Sequence, residues 1–250
     1  MLDDANPIAE IVKAQIASRF AGVDIWVFDL DNTLYPADSD LWPKIDERMT
    51  VYLSDLLGLD GLSSRALQKF YYQRYGTTLE GLMRDHQINP DHFLDFAHDI
   101  DRSSIKPDLG LAKAIGGLPG RRLILTNGSR DHAIKTTQHL GLDHLFEDVF
   151  DIVAAQLVPK PAPQVYEKFF DRHGIDPMRA AMFDDIARNL TVPFAHGMRT
   201  VLVTPRQGQT DHREAWETIS QKPPNIDFVT DDLAGFVALI SASLPRTQNP

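Results

Sequence analysis

Apolar and polar residues alternate along the chain in short apolar runs that are separated by stretches with helical spacing. Each run is short and wholly apolar at its centre, which is typical of a buried strand. The stretches between most runs carry apolar residues near the helical period and end at glycines such as Gly141 and Gly174. Strands that alternate with helices indicate an α/β fold with a mostly parallel sheet and helices on both faces. The predicted strands cover residues 23–29, 122–126, 149–153, 180–184, 200–203 and 226–229.

The alternation is interrupted once, between about residues 37 and 106, where helical patterns occur without a convincing strand. One stretch ends at Gly76 and is followed by a capping-box pattern from Thr77 to Glu80. We therefore predict an all-helical cap domain at residues 37–106, inserted into a core domain formed by residues 1–36 and 107–250.

An amphipathic helix is predicted near the N-terminus. Asn6 suits the N-cap, Pro7 the first helical position, and Gly22 follows the last apolar residue. Packing against the domain's own core is favoured over binding of a partner. At the other end, residues 245–250 are predicted to be frayed.

The chain is acidic, with 25 lysines and arginines against 35 aspartates and glutamates and a formal charge of −10. This charge disfavours binding of nucleic acid polymers, because such proteins need cations to displace counterions from the phosphate backbone. Cysteine is absent, which excludes disulfides, thiolate metal sites and a cysteine nucleophile. The opening Met-Leu-Asp-Asp is acidic where an export signal is basic, and no apolar stretch approaches a membrane span. We therefore expect a cytoplasmic protein that does not bind membranes.

Two aspartates, Asp29 and Asp31, end the first predicted strand. Their side chains can point to the same side, because alternate residues of a strand share a face. Two carboxylates at such a separation resist joint ionisation unless a cation lies between them. Mg²⁺ is the natural cation, since it takes oxygen ligands and shares them with phosphate. The alternative is a strand that runs into a turn with both aspartates as solvated caps.

Three later segments carry further polar groups. Residues 126–128, Thr-Asn-Gly, end an apolar run and are a candidate cradle for phosphate oxygens. Lys160 lies in a loop before a helix, where it can act as a fixed charge, and Asp184 and Asp185 end another apolar run. Taken singly, these segments also fit a turn, a surface lysine and a helix N-cap. Their occurrence together, in this order, favours one shared site.

This combination of segments resembles the four motifs of the haloacid dehalogenase-like hydrolase superfamily. The motifs are Asp29–Thr33, Thr126, Lys160 and Asp184–Asp185, and the resemblance covers roughly residues 23–203. The long interval between the first two motifs matches members with a helical cap inserted after the first strand. The resemblance implies a Rossmann-like core, a helical cap and a site that uses Mg²⁺.

Within the superfamily, the chain bears a closer likeness to the pyrimidine 5′-nucleotidase branch. The likeness rests on residues 29–36, 71–79, 182–185 and 188–190. Ile186 departs from the pattern, because many relatives carry serine after the acid pair; we expect this to tune activity rather than abolish it. The likeness implies an Mg²⁺-dependent phosphomonoester hydrolase that acts on pyrimidine nucleoside 5′-monophosphates.

The resemblance also implies a role for each motif residue. Asp29 is implied as the nucleophile that forms an aspartyl-phosphate, and Asp31 as the group that protonates the leaving alkoxide and then activates water. The implied catalytic residues are Asp29, Asp31, Thr126 and Lys160. The implied Mg²⁺ ligands are Asp29, Asp31 through its backbone carbonyl, Asp184 and Asp185. The implied substrate contacts are Asn127, Gly128, Tyr72, Arg74 and Thr78.

Other conspicuous residues are interpreted as structural. Tyr71 and Tyr75 have helical spacing and are predicted as core residues rather than base-stacking groups, and Thr77 as a helix cap. His86, His92 and His98 are each six residues apart, a spacing that does not share one helix face, so no metal site is predicted there.

Several alternatives stay open. A broad-specificity phosphatase would use the cap only to exclude water, and a sugar phosphomutase would return the phosphoryl group through Asp31. A haloacid dehalogenase is disfavoured, because members of that type lack the second aspartate of the first motif. A non-catalytic module is disfavoured by the presence of Asp29 and Lys160. The expected partner is a small phosphorylated molecule, and the expected state is a monomer or homodimer.

Overall fold

The computed structural model describes residues 7–219 and 221–244. Within these ranges the chain forms one sheet of six parallel strands and ten α-helices, which confirms the predicted α/β class. The strands are β1 (Ile25–Phe28), β2 (Arg121–Leu125), β3 (Asp148–Phe150), β4 (Ala180–Asp184), β5 (Arg199–Val203) and β6 (Phe228–Thr230). The helices are α1 (Pro7–Arg19), α2 (Leu41–Leu57), α3 (Gly61–Tyr75), α4 (Thr78–His86), α5 (Pro90–His98), α6 (Leu109–Gly116), α7 (Arg130–Leu140), α8 (Pro163–His173), α9 (Thr191–Ala195) and α10 (Leu233–Ser243).

The strand order places β1 between β2 and β4. The full order is β3-β2-β1-β4-β5-β6, and every neighbouring pair is parallel. Phe28, the last residue of β1, lies opposite Ile124 on one side and Phe183 on the other. The chain order reverses at β1, and ligands bind at such reversal points, outside the carboxyl ends of the strands. The residues that follow β1, β2 and β4 therefore meet in one crevice.

Alternate strand residues pack into two separate cores. In β1, Trp26 and Phe28 point into a cluster covered by α1, α6, α7 and α10, whereas Ile25 and Val27 point into a cluster covered by α8. This alternation follows from the two-residue period of a strand. Helices on both faces are thus confirmed.

The first helix packs on the protein's own core. It begins at Pro7, as predicted, and Ile16 and the following Phe20 are buried against the sheet. No helix in the described ranges combines the length and apolarity needed to cross a membrane. The predictions for Asn6 and for residues 245–250 lie outside the described residues.

Helices α2–α5 build a hydrophobic cluster of their own, around residues such as Tyr71, Leu82 and Phe93. Thr77 caps α4 as predicted, because its hydroxyl accepts the N–H of Glu80 at 3.1 Å. All of residues 41–98 are described, and they contain only these helices and their connections. The helical insertion is thus observed, while domain boundaries at 37 and 106 stay a prediction.

Three predicted strands, at residues 23–29, 149–153 and 226–229, are longer than the observed β1, β3 and β6. The run at residues 149–153 forms a strand only as far as Phe150, and the chain then turns. The carboxylate of Asp151 ends the strand, since it accepts the N–H groups of Arg130 and Ala154, both at 2.9 Å. Ile152 leaves the sheet and joins the cluster of α2–α5. Its apolar character therefore serves packing between elements rather than strand formation.

Candidate active site

The side chain of Lys160 is the cationic centre of the crevice. Its Nζ donates to Oδ1 of Asp29 at 2.8 Å, to Oδ2 of Asp184 at 2.7 Å and to the carbonyl of Leu125 at 3.0 Å. The residue is only 2% exposed, so these three acceptors replace the water that the ammonium has lost. Burial lowers the pKa of Lys160, but the carboxylates of Asp184 and Asp29 outweigh it and raise the pKa above its ordinary value. The ammonium is therefore a permanent charge.

Asp184 is held on both of its oxygens. Asn189 donates its amide to the two oxygens at 2.9 and 3.2 Å, and the backbone N–H of Ile186 donates to Oδ1 at 2.9 Å. Together with Lys160, these donors fix the carboxylate in a fully buried position. Ile186, the residue that departs from the family pattern, contributes a backbone N–H that every residue except proline supplies.

Three carboxylates converge beside the ammonium. Oxygens of Asp29, Asp184 and Asp185, all buried, lie within 4.8 Å of one another. Three carboxylates and one ammonium leave a formal charge of −2. Burial, reinforced by Asp184 and Asp31 and opposed by Lys160, raises the pKa of Asp29 to about 7. Burial and the neighbouring Asp184 and Asp29 also raise the pKa of Asp185 well above its ordinary value. Such a cluster binds a proton or a cation.

Asp31 has a different environment from the other acids. Its Oδ1 accepts the hydroxyl of Tyr35 at 2.6 Å and lies 2.8 Å from Nε2 of His132. Burial would raise the pKa of Asp31, but the contact with His132 and the hydrogen bond of Tyr35 outweigh it and lower the pKa. The other oxygen, Oδ2, lies beside Gly128, where a Cβ would come within 3.6 Å of it.

His132 belongs to a buried polar cluster that no sequence pattern predicted. His98, at the end of α5, stacks on His132 with ring centroids 4.4 Å apart, and Arg102 contacts the same ring. His98 was predicted as a core or surface residue, and it lines the crevice instead. One signal was present: α7 starts directly after the motif that contains Thr126, so its first turn must lie near the strand ends.

The loop after β2 lines the same crevice. Thr126 is buried, and its hydroxyl accepts the N–H of Gly128 at 2.9 Å, which leaves its own hydrogen free to donate. The side chain of Asn127 accepts the N–H of Lys160 at 2.7 Å and donates to the carbonyl of Lys160 at 3.3 Å. Asn127 therefore ties two loops together, while Thr126 and the small Gly128 border the open space.

A model of the haloacid dehalogenase-like hydrolase family matches residues 23–192, which is more than half of the chain. The chain belongs to this family. The match includes every motif aspartate, Thr126 and Lys160. The predicted superfamily is thus confirmed.

Several known proteins are similar to this family member. Phosphate metabolism protein 8 of Saccharomyces cerevisiae is 28% identical over 196 residues, which are 71% of this chain. The matched region is 60% of that relative's length. A hydrolase of the same family from Deinococcus radiodurans, crystallised with phosphate and sodium, aligns with a TM-score of 0.52 and 21% identity, covering 89% of this chain and 97% of that one. L-2-haloacid dehalogenase from Xanthobacter autotrophicus aligns with a TM-score of 0.52 and 17% identity, covering 88% and 99%. These structural likenesses show the fold alone.

Of the three cap residues predicted to contact substrate, two line the crevice and one lies away from it. Tyr72 and the buried Thr78 line the crevice, together with the half-buried Trp42, which the sequence analysis did not single out. Arg74 is exposed, and its guanidinium lies 5.9 Å from the ring of Tyr75, so the structure does not bring it to the crevice. The reason is helical geometry, because residues two apart on α3 point in nearly opposite directions.

A loop between β5 and β6 contacts the cap across the crevice. The hydroxyl of Tyr72 donates to the buried carboxylate of Glu217 at 2.5 Å, and Lys69 pairs with Glu214 at 2.6 Å. Arg188 pairs with Glu217 at 2.9 Å and lies 4.9 Å above the ring of Tyr72. The space around Tyr72 is therefore bordered by charged groups from the core as well as by the cap.

Proposed function

We propose that this chain is a phosphomonoester hydrolase that uses Asp29 as its nucleophile. The observation that carries the proposal is the pairing of Asp29 with Lys160 at 2.8 Å, beside two further carboxylates and within the same crevice as Asp31. One carboxylate oxygen of Asp29 faces the ammonium, which anchors the group. The similarity to a protein named for phosphate metabolism supports phosphate chemistry.

The proposed reaction has two steps. A carboxylate oxygen of Asp29 attacks phosphorus and forms an aspartyl-phosphate, while the bond from phosphorus to the leaving oxygen breaks. Asp31 gives its proton to that leaving oxygen. In the second step Asp31 takes a proton from the water that attacks phosphorus, the bond between phosphorus and the Asp29 oxygen breaks, and inorganic phosphate and the Asp29 carboxylate are released. A phosphate dianion bound near Asp31 favours the protonated carboxyl, which the first step needs. Lys160 and Thr126 offset charge on the phosphoryl oxygens.

The acid cluster fits a divalent cation such as Mg²⁺. Its donors are all hard oxygen ligands, and its formal charge of −2 equals the charge that such a cation supplies. We propose Asp29, Asp185 and the backbone carbonyl of Asp31 as ligands, with Asp184 acting directly or through water. When bound, the cation supplies electrostatic stabilisation of charge on the phosphoryl group.

We propose pyrimidine nucleoside 5′-monophosphates as the substrates. The support is the resemblance of residues 71–79 to that branch, together with a crevice in which Trp42, Tyr72 and Thr78 border the space above the acids. Aromatic surfaces suit a planar base, and a second ring demands more volume. A broad-specificity phosphatase and a sugar phosphomutase are the competing functions.

Phosphate release from a panel of phosphomonoesters with Mg²⁺ tests both the proposed hydrolase activity and the proposed substrate class. We expect kcat/KM for UMP and CMP to exceed that for AMP and GMP by about 10–200-fold, the range that volume and apolar contacts supply. Equal values for UMP and AMP would indicate a broad phosphatase. Transfer of the phosphoryl group within a sugar phosphate, without release of inorganic phosphate, would indicate a mutase. Absence of phosphate release from every ester would refute the hydrolase itself.

A further inference from the structure

Two hydrogen bonds connect the side chains of Arg102, His132 and Asp31, which lie in different parts of the chain. Arg102, in the segment that follows α5, places a terminal guanidinium nitrogen 2.8 Å from Nδ1 of His132. His132, in the first turn of α7, places Nε2 at 2.8 Å from Oδ1 of Asp31. Arg102 is 6% exposed and His132 is fully buried, so water does not mediate these contacts.

These hydrogen bonds fix the tautomer of His132. An arginine side chain is always a donor, so Nδ1 of His132 must be the acceptor and carries no proton. The single ring proton therefore resides on Nε2 and is donated to Asp31. With Nδ1 as the acceptor, the contact of His132 with Asp31 is a directed hydrogen bond from Nε2–H.

The two oxygens of Asp31 are thereby made unequal. Oδ1 receives both Nε2–H of His132 and the hydroxyl of Tyr35, the latter at 2.6 Å. Among the described residues, no group donates to Oδ2, which lies beside Gly128 at the edge of the crevice. A proton on Oδ1 would have to displace one of its two donors, whereas Oδ2 accepts a proton without any loss.

We propose that Arg102, His132 and Tyr35 are positioning residues that keep the exchangeable proton of Asp31 on Oδ2, directed at the leaving oxygen. This inference rests on the proposed function, in which Asp31 is the general acid. In the first step the proton moves from Oδ2 to the leaving oxygen as the bond to phosphorus breaks, and Asp31 becomes a carboxylate that Oδ1's two donors stabilise.

The burial of Arg102 supports a role beyond packing. Its other donors contact the hydroxyl of Thr136 and the carbonyls of Ile100 and His98, at 3.1 to 3.3 Å. Within the described part of the chain, no carboxylate lies at ion-pair distance from this guanidinium. A buried cation without an ionic partner is costly, and the nearest compensation along its hydrogen bonds is Asp31, reached through His132. The positive charge of Arg102 is therefore connected to Asp31, the proposed general acid, through the hydrogen bonds of His132.

The test compares esters that differ in the basicity of the leaving group. A basic leaving oxygen needs the proton of the general acid, whereas a weakly basic one leaves without it. Phenyl phosphate and 4-nitrophenyl phosphate form such a pair with nearly the same shape. The parameter is kcat/KM, because it reports formation of the aspartyl-phosphate and excludes its later hydrolysis.

His132→Leu is expected to lower kcat/KM for phenyl phosphate by about 100-fold and for 4-nitrophenyl phosphate by less than about tenfold. His132→Gln, whose amide can reach the position of Nε2–H, is expected to restore most of the loss for phenyl phosphate. Tyr35→Phe removes one donor with little change of shape and should show a smaller shift in the same direction. It decides the question if the leucine variant does not fold.

His173→Leu is the matched control. His173 is also nearly buried, lies 3.0 Å from a carboxylate, that of Asp148, and packs on Phe169, but it is outside the crevice. Its variant should change both esters equally or not at all. Equal losses for the two esters in the His132 and Tyr35 variants, or no loss, would overturn the inference. The proposed function fails only if the wild-type chain releases phosphate from no ester, UMP and CMP included. If the wild-type chain cleaves only nucleotides, His132→Leu must lower kcat/KM for UMP, whose leaving oxygen is basic, and His132→Gln must restore most of it; no loss in His132→Leu would then overturn the inference.

Discussion

Each acid of the crevice is held by a different set of neighbours, and this difference suits them to different roles in the proposed reaction. Asp184 has donors on both oxygens, from Lys160, Asn189 and Ile186, so it is a fixed counter-charge. Asp29 is anchored by Lys160 through one oxygen. A carboxylate held on one side only is suited to attack phosphorus with the other oxygen.

Asp29→Asn is expected to lower phosphate release by about 10³-fold or more, because an amide cannot attack phosphorus. The amide oxygen can still accept from Lys160, so the fold should persist, as circular dichroism can verify. Asp24→Asn is the control, since Asp24 lies before the opposite end of β1 and pairs with Arg179. Turnover above about 1% of wild type by a folded, pure Asp29→Asn variant would remove Asp29 as nucleophile.

The sequence predicted the strand-end residues of the crevice but not the groups that orient Asp31. Strand-end residues are accessible to sequence reasoning, because the carboxyl edge of a parallel sheet gathers whatever follows its central strands. His132 and Arg102 reach Asp31 through the rotation of α7 and the path of residues 99–108, and neither is encoded in a local pattern. The chemical roles of all these residues stay predictions.

The register between β1 and β4 determines the relative positions of Asp29 and Asp184. Because Phe28 pairs with Phe183, the next residues on the two strands, Asp29 and Asp184, come side by side, and the N–H of Asp29 donates to the carbonyl of Phe183 at 2.8 Å. Helix ends were predictable from glycines such as Gly141, which adopts a left-handed conformation with φ of 69° at the end of α7. The end of β3 was not predictable from the sequence. The strand ends where the side chain of Asp151 accepts two backbone N–H groups, although the apolar run continues to residue 153.

The packing of α3 against α4 depends on the absence of a side chain at Gly81. A Cβ there would come within 2.3 to 2.6 Å of the ring base and Cβ of Tyr71, which cannot move away without shifting α3. Overpacking costs about 1–3 kcal/mol, and contacts this short place the cost at the upper end, about 2–3 kcal/mol, above the roughly 1 kcal/mol that alanine gains in a helix. Gly81→Ala should therefore lower the free energy of unfolding in urea by about 1–2 kcal/mol.

Gly61→Ala provides the matched control for that prediction. Gly61 begins α3, and a Cβ there meets no atom within 4 Å. Its unfolding free energy should stay within about 0.5 kcal/mol of wild type. An alanine at position 81 that is neutral or stabilising would show that Tyr71 repacks without cost.

At the scale of the whole molecule, a chain of net charge −10 is proposed to bind a phosphate dianion. Long-range attraction does not favour this encounter, so binding depends on local groups in a site from which water is largely excluded. Lys160 supplies one positive charge, but it is already shared between two carboxylates. Lys69, Arg188 and Arg213 also line the crevice, but each is paired with a carboxylate. A divalent cation can supply the positive charge that is still needed, which links the proposed catalysis to metal binding and pH.

That linkage predicts that Mg²⁺ binds more tightly as pH rises. The raised pKa of Asp29, about 7 in the metal-free protein, means that a proton must leave before the cation binds. For one such proton, the affinity at pH 6 should be about tenfold lower than at pH 8. The same raised pKa destabilises the metal-free protein as pH rises from about 4 to 7, because the folded state then holds a proton that the unfolded state has released.

Calorimetric titration of the metal-free protein with Mg²⁺ at pH 6 and pH 8 measures this effect directly. At pH 7, buffers of different ionisation enthalpy should give different apparent enthalpies, since a proton is released on binding. The increase in melting temperature caused by saturating Mg²⁺ should also be greater at pH 8 than at pH 6, because binding to the folded state alone stabilises it. In the Asp29→Asn variant the contribution of Asp29 to both dependences should vanish, which assigns the proton to that residue. Equal affinities at the two pH values in the wild-type protein would show that the acid cluster is already ionised without a cation, and that the charge of Lys160 alone is enough to hold it so.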